Sequence, residues 1–149
     1  MSETSGRSVR LTLCFDYDHP LGARDRFFAE LSAGRALGAI CPQCGATTFP
    51  PRARCREDGR PCRELPLSGV GRVLAMTRSE TQLPLANRSL ATTWTLVRME
   101  GADNGLLGRL AADSRQVGVG DRVRLVADTE PVGHPIQHLT FVVDPSDEP

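Results

Sequence analysis

The residues of this chain best equipped for chemistry are Cys41, Cys44, Cys55 and Cys62, four of its five cysteines, gathered within 22 positions. Cys41-Pro42-Gln43-Cys44-Gly45 is a knuckle: two thiolates separated by two residues turn toward one metal ion, and the glycine relaxes the backbone behind them. Ten residues separate Cys44 from Cys55 and six separate Cys55 from Cys62, so the last interval is too long for a second ordinary knuckle. Asp58 stands where a second Cys-x-x-Cys would have its final cysteine. Three arrangements are open. Cys62 reaches back across the Glu57 to Pro61 loop and closes a four-thiolate site; Asp58 supplies an oxygen, giving a harder and weaker coordination sphere; or the ribbon survives without metal as a loop scaffold. Because structural zinc favours closed thiolate tetrahedra, the expectation adopted is a zinc ion held by Cys41, Cys44, Cys55 and Cys62. A closed site has no position for water or substrate, so this zinc is expected to be structural, not catalytic.

Little else points to chemistry. Cys14 stands far upstream with no histidine near it in sequence, and reads as a buried or half-exposed thiol instead of a nucleophile. His19 precedes a helix, His134 lies in a Gly-His-Pro turn and His138 falls on the last strand, without a matching serine or acid motif. No nucleophile elbow, zinc-protease helix or phosphate-cradling glycine loop occurs. No catalytic residue is therefore expected. All 18 basic residues are arginine, which excludes Schiff-base, P-loop and general-base lysine chemistry. They are balanced by 18 acids, so the chain lacks the net basic field of a general nucleic-acid binder. Residues 1–10 contain Glu3 and no apolar core, and no apolar run approaches membrane-spanning length. The expected setting is the cytoplasm, with thiols kept reduced.

The elements that must position these residues follow from pattern. From Ser8 to Asp16, Val9, Leu11, Leu13 and Phe15 alternate, giving either a short edge strand or an arm laid across a partner. Between Leu21 and Ala33 the apolar Ala23, Phe27, Phe28 and Leu31 recur at helical spacing, with Gly34 as a stop. The face of this helix packs on the rest of the chain or on another subunit. Leu37 to Glu64 is rich in Pro, Gly and Arg and poor in large apolar residues, so a metal cross-link is its natural route to folding. Beyond Leu67 come five strand signals: Val70 to Arg78, Ala91 to Met99, Gly105 to Ala112, Val123 to Ala127 and Gln137 to Val143. The third follows an Asp103-Asn104-Gly105 hairpin turn. Five short strands with glycine at the bends predict a small antiparallel barrel such as an OB-fold. The fold class is thus mainly β: an N-terminal arm and amphipathic helix (1–36), a rubredoxin-like zinc ribbon (37–66), a five-stranded OB-fold barrel (67–143) and a disordered acidic tail (144–149).

A family resemblance rests on the order of these features. Gly34-Arg35 ends the helix, Leu37 to Ile40 leads into Cys41-Pro-Gln-Cys44-Gly, and Phe49-Pro50-Pro51-Arg52, Cys55 and Leu67-Ser68-Gly69-Val70-Gly71-Arg72-Val73 follow. From about Phe27 to Val143 the chain resembles the zinc-ribbon plus OB-fold proteins that accompany acyl-CoA enzymes. The resemblance implies a helper subunit of a thiolase-like, aldolase or ketosynthase-like partner in lipid, steroid or polyketide metabolism. Such a subunit holds the pair together as a hetero-oligomer and guides the acyl-CoA or acyl-carrier substrate. Where the family commonly has its second Cys-x-x-Cys, this chain has Cys55-Arg-Glu-Asp58. Arg52, the arginine after the proline pair, is the candidate contact for a CoA phosphate, since guanidinium grips phosphate bidentately; Arg54 and Arg56 adjoin it. The competing class is a zinc-ribbon and OB module for single-stranded nucleic acid. It requires a basic, aromatic-lined barrel face, whereas residues 67–149 hold eight arginines against ten acids and no tyrosine.

Overall fold

Helix α1 (Asp25–Ser32), entered through a single 3-10 turn at Gly22–Arg24, turns Phe27, Phe28 and Leu31 inward. The computed structural model describes residues 9–15, 17–83, 88–111, 117–127 and 139–145. Gly34 ends the helix with φ 71°. Its N–H donates to the Leu31 carbonyl (2.9 Å) and the Arg35 N–H donates to that of Glu30 (2.9 Å), a Schellman closure that satisfies the last carbonyls. A Cβ at Gly34 would stand 2.6 Å from the Ala127 backbone nitrogen, so glycine is required both for the left-handed turn and for close approach to the barrel.

The chain then enters a three-stranded antiparallel sheet. Strand β1 (Ala36–Ile40) lies between β2 (Thr47–Thr48) and β3 (Arg63–Leu67), and the loops that connect them carry the cysteines. Strands β4 (Val70–Leu83), β5 (Arg88–Met99), β6 (Gly105–Leu110), β7 (Arg122–Val126) and β8 (Thr140–Val143) close a barrel in the order β4-β5-β6-β8-β7. Every pairing is antiparallel except β6 with β8, and β7 returns to β4 to complete the circuit. This is the Greek-key barrel of the OB-fold. A register shift between Val73 and Ala75 bends β4, and Gly108 lets the Phe141 ring lie across β6, where a Cβ would come within 2.5 Å of it.

One apolar cluster joins all three parts. Val73, Val97, Val123 and Phe141 from the barrel meet Phe27, Phe28 and Leu31 from α1 and Leu37 and Phe49 from the ribbon. The Phe27 and Phe49 rings pack edge to face at 5.9 Å. The helix face is therefore covered by this chain's own core.

The mainly β architecture agrees with the expectation, and four details differ. Residues 9–15 form no strand, and Val9, Leu11, Leu13 and Phe15 are all more than 70% exposed, so of the two readings of this segment the strand is not formed. The first barrel strand runs to Leu83, beyond Arg78, because it continues in register with β5 as a hairpin. Asp144 is buried, its N–H donating to the Arg122 carbonyl (3.1 Å) and its carboxylate 3.6 Å from the Arg122 guanidinium; residues 146–149 of the expected tail lie outside the described residues. Cys14 is exposed, neither buried nor half-exposed, because the segment carrying it packs on nothing described. Ser8, Asp16, Ala112, His134 and the start of the last predicted strand, Gln137 and His138, also lie outside the described residues. Among the described residues no helix is long and apolar enough to cross a membrane.

Candidate metal centre and adjoining cleft

Two matching turns build the centre. In the first, the Gly45 N–H donates to the Cys41 carbonyl (2.9 Å) with Gly45 at φ 75°; in the second, the Gly59 N–H donates to the Cys55 carbonyl (3.1 Å) with Gly59 at φ 69°. Each turn aims backbone amides at its first sulfur. The amides of Cys44 and Gln43 favour the thiolate of Cys41 and hold its pKa below the usual thiol range against the cost of burial. The amides of Asp58 and Glu57 act likewise on Cys55, but burial and the neighbouring Cys44 and Cys41 sulfurs outweigh them and push it up to about 11.

The ligand atoms of Cys41, Cys44, Cys55 and Asp58 all lie within 4.8 Å of one another. The Cys44 and Cys55 sulfurs are 3.6 Å apart, and the Cys41 sulfur is 3.4 Å from Asp58 Oδ2. With Zn–S bonds of about 2.3 Å, the edges of a tetrahedral thiolate site measure about 3.8 Å, so the spacing suits one zinc ion. The Asp58 carboxyl is held below its usual pKa, first by the Arg60 N–H that donates to Oδ1 at 2.9 Å, and so stands ionised near neutral pH. These donors fit a structural zinc.

Cys62, expected from the sequence as the fourth ligand, is outside that group, and the geometry gathers Asp58 in that place. The physical reason is the hairpin around them: Arg54 bridges Pro61, and the Cys62 N–H donates to the Ala53 carbonyl (3.0 Å), which places the Cys62 backbone at the residue before β3. It remains close enough that burial, and then the charges at Cys41, Cys55 and Asp58, raise its pKa.

Cys62 instead lines a cleft of about 700 Å³ between α1 and the ribbon. Phe27, Phe28, Pro50 and Pro51 give the cleft apolar walls, and Arg24, Arg52 and Arg54 bring three guanidinium groups to it. Arg54 also donates to the Gly59 carbonyl (3.0 Å), tying the cleft to the second knuckle. Arg56, expected to act with its neighbours, is not among the lining residues. His19 is exposed ahead of the helix, stacked with Tyr17 at 6.0 Å.

A joint between ribbon and barrel carries no signal in the sequence. Asp103 and Asn104, read only as turn residues, grip β2 and its extension. Asp103 Oδ2 accepts from the Thr47 N–H (2.7 Å), Asn104 Oδ1 accepts from the Phe49 N–H (3.0 Å), and Asn104 Nδ2 donates to the Phe49 carbonyl (2.8 Å). The side-chain amide thus pairs with Phe49 as a strand would, and fixes the Pro50-Pro51-Arg52 wall of the cleft. Asp103-Asn104-Gly105 carries only the turn signal; nothing local points to contacts 55 and 56 positions away.

Comparison with known proteins places this geometry. Residues 28–61 match the family described as "ChsH2, rubredoxin-like zinc ribbon domain". No curated protein matches the chain significantly. Among solved structures, a chain of the "Ltp2-ChsH2(DUF35) aldolase" is similar with a TM-score of 0.57 at 18% identity, over 80% of this chain and 93% of that one. A DUF35-family protein of unknown function from Sulfolobus solfataricus has a TM-score of 0.56 at 19% identity, over 83% of this chain and 86% of that one. The family match is confined to the ribbon and the fold is similar to these solved chains; the ribbon match together with the gathered donors supports a structural zinc.

Proposed function

We propose that this chain is an accessory, non-catalytic subunit that binds a thiolase-like or aldolase-like acyl-CoA enzyme and helps to position its acyl-CoA or acyl-carrier substrate, in lipid, steroid or polyketide metabolism. The observation that carries the reading is the shared fold: helix, ribbon and barrel are similar over nearly the whole of a chain from an assembly named for an aldolase. Among the described residues the metal-ligating group offers four donors, and the cleft is lined by arginines, apolar residues, the Cys62 thiol and the Glu64 carboxylate, which is ion-paired with Arg26.

Two features give the proposal physical content. Arg52, with Arg24 and Arg54 at the same cleft, suits the phosphates of CoA, and the Phe and Pro walls suit its apolar arm. The exposed arm, with Val9, Leu11, Leu13, Phe15 and Tyr17 in nine residues, supplies apolar surface to a partner. Zinc in this reading holds the ribbon so that Arg52 and the proline wall keep their places.

Co-expression with a tagged thiolase-like or aldolase-like candidate tests the assignment. The expected result is co-purification in a fixed ratio that survives gel filtration. A chain that elutes alone from every such candidate contradicts it.

A further inference from the structure

We propose that the fourth metal ligand of this chain is the Asp58 carboxylate and that Cys62 is an uncoordinated thiol beside it, so that zinc is held by three sulfurs and one oxygen. The two knuckles superpose in function: Asp58 holds in the second the position that Cys44 holds in the first, each followed by a glycine at positive φ whose N–H closes the turn. Oδ2 of Asp58 is the oxygen nearer to Cys41, at 3.4 Å against 3.8 Å for Oδ1. Oδ1 in turn accepts the Arg60 N–H at 2.9 Å. One oxygen is thus committed to the backbone and the other is left for the ion, the arrangement by which an outer hydrogen bond orients a ligating carboxylate.

Cys62 is placed just ahead of β3, its backbone N–H bound to the Ala53 carbonyl at 3.0 Å. Its sulfur is not among the ligand atoms that lie within 4.8 Å of one another, a place that Asp58 takes. The formal charge of the donor set is the same with either ligand, minus four from four anions. What changes is softness: a carboxylate is a harder and poorer partner for zinc than a thiolate, so the ion is held less tightly. Cys62 is left as a half-buried thiol on the wall of the cleft.

The test begins with the full-length protein purified from zinc-replete medium and treated briefly with iodoacetamide, followed by peptide mass mapping. Alkylation of Cys62 together with exposed Cys14, while Cys41, Cys44 and Cys55 stay protected and one zinc is bound, is the expected result. Cobalt substitution gives a second readout. Cys62→Ser leaves the sulfur-to-cobalt absorption unchanged, whereas Asp58→Cys raises it by about one third, as four thiolates replace three. Asp58→Asn weakens zinc binding, read by competition with a chelator, by more than the roughly 10- to 100-fold that loss of an outer hydrogen bond costs, and Asp58→Cys strengthens it. Protection of Cys62 in the zinc form, loss of absorption in Cys62→Ser, or a folded protein without zinc overturns the assignment. If Asp58→Asn does not fold, the alkylation map and Cys62→Ser still decide.

Discussion

Cys41, Cys44 and Cys55 were legible as a group because a knuckle is a local device: the spacing of two residues and a following glycine already dictate where the sulfurs point. The choice between Asp58 and Cys62 was not legible, because it depends on the hairpin after Cys55, whose register is set by the Arg54 to Pro61 bridge and not by any local signal. Counting cysteines favours the softer ligand, whereas the backbone gathers the Asp58 carboxylate with the three sulfurs. Asn104 shows the same limit. Its three groups of bonds to Phe49 and to its own turn arise from tertiary placement, and its residue type signalled only the turn. Asn104→Ala leaves the Phe49 N–H and carbonyl without these partners, and is expected to cost about 1–3 kcal/mol, read as a lower midpoint in urea at unchanged slope. An unaltered midpoint would remove Asn104 from the joint between ribbon and barrel.

At the scale of elements, the helix and the barrel strands were readable because each buries one face with its own period, 3.6 for Phe27, Phe28 and Leu31 and two for Val123 and Leu125. What the periods did not contain was that helix, ribbon and barrel share one core. Ala36, Leu37 and Phe49 are the ribbon sheet's share, so metal loss is expected to weaken the whole molecule and not the ribbon alone. Chelation should therefore lower a single thermal transition and expose Cys41, Cys44 and Cys55 to alkylation; two separate transitions, with the upper one unmoved, would contradict the shared core. Phe49→Ala removes a fully buried ring and is expected to cost about 3–5 kcal/mol. Gly108→Ala drives a methyl group into Phe141 and the Leu139 carbonyl, and should destabilise the barrel by about 1–3 kcal/mol, measured by the same unfolding curve.

For the molecule as a whole, the exposed arm separates stability from association. Residues 9–15 contribute nothing to the apolar cluster, so replacing Val9, Leu11, Leu13 and Phe15 by serine should leave the thermal transition in place and weaken binding to a partner enzyme. Equal binding by the substituted chain would show that these side chains are not part of the contact. The cleft makes the complementary demand: Arg52→Ala should leave both folding and partner binding intact and raise the partner's KM for acyl-CoA. Both expectations depend on the chain acting through another protein. The most direct test of that claim is acyl-CoA turnover by a thiolase-like or aldolase-like enzyme that co-purifies with this chain, measured with the chain present and absent. The account predicts that the isolated chain turns over no acyl-CoA and that adding it raises the enzyme's rate. Turnover by the chain alone, or a rate indifferent to its presence, would contradict it.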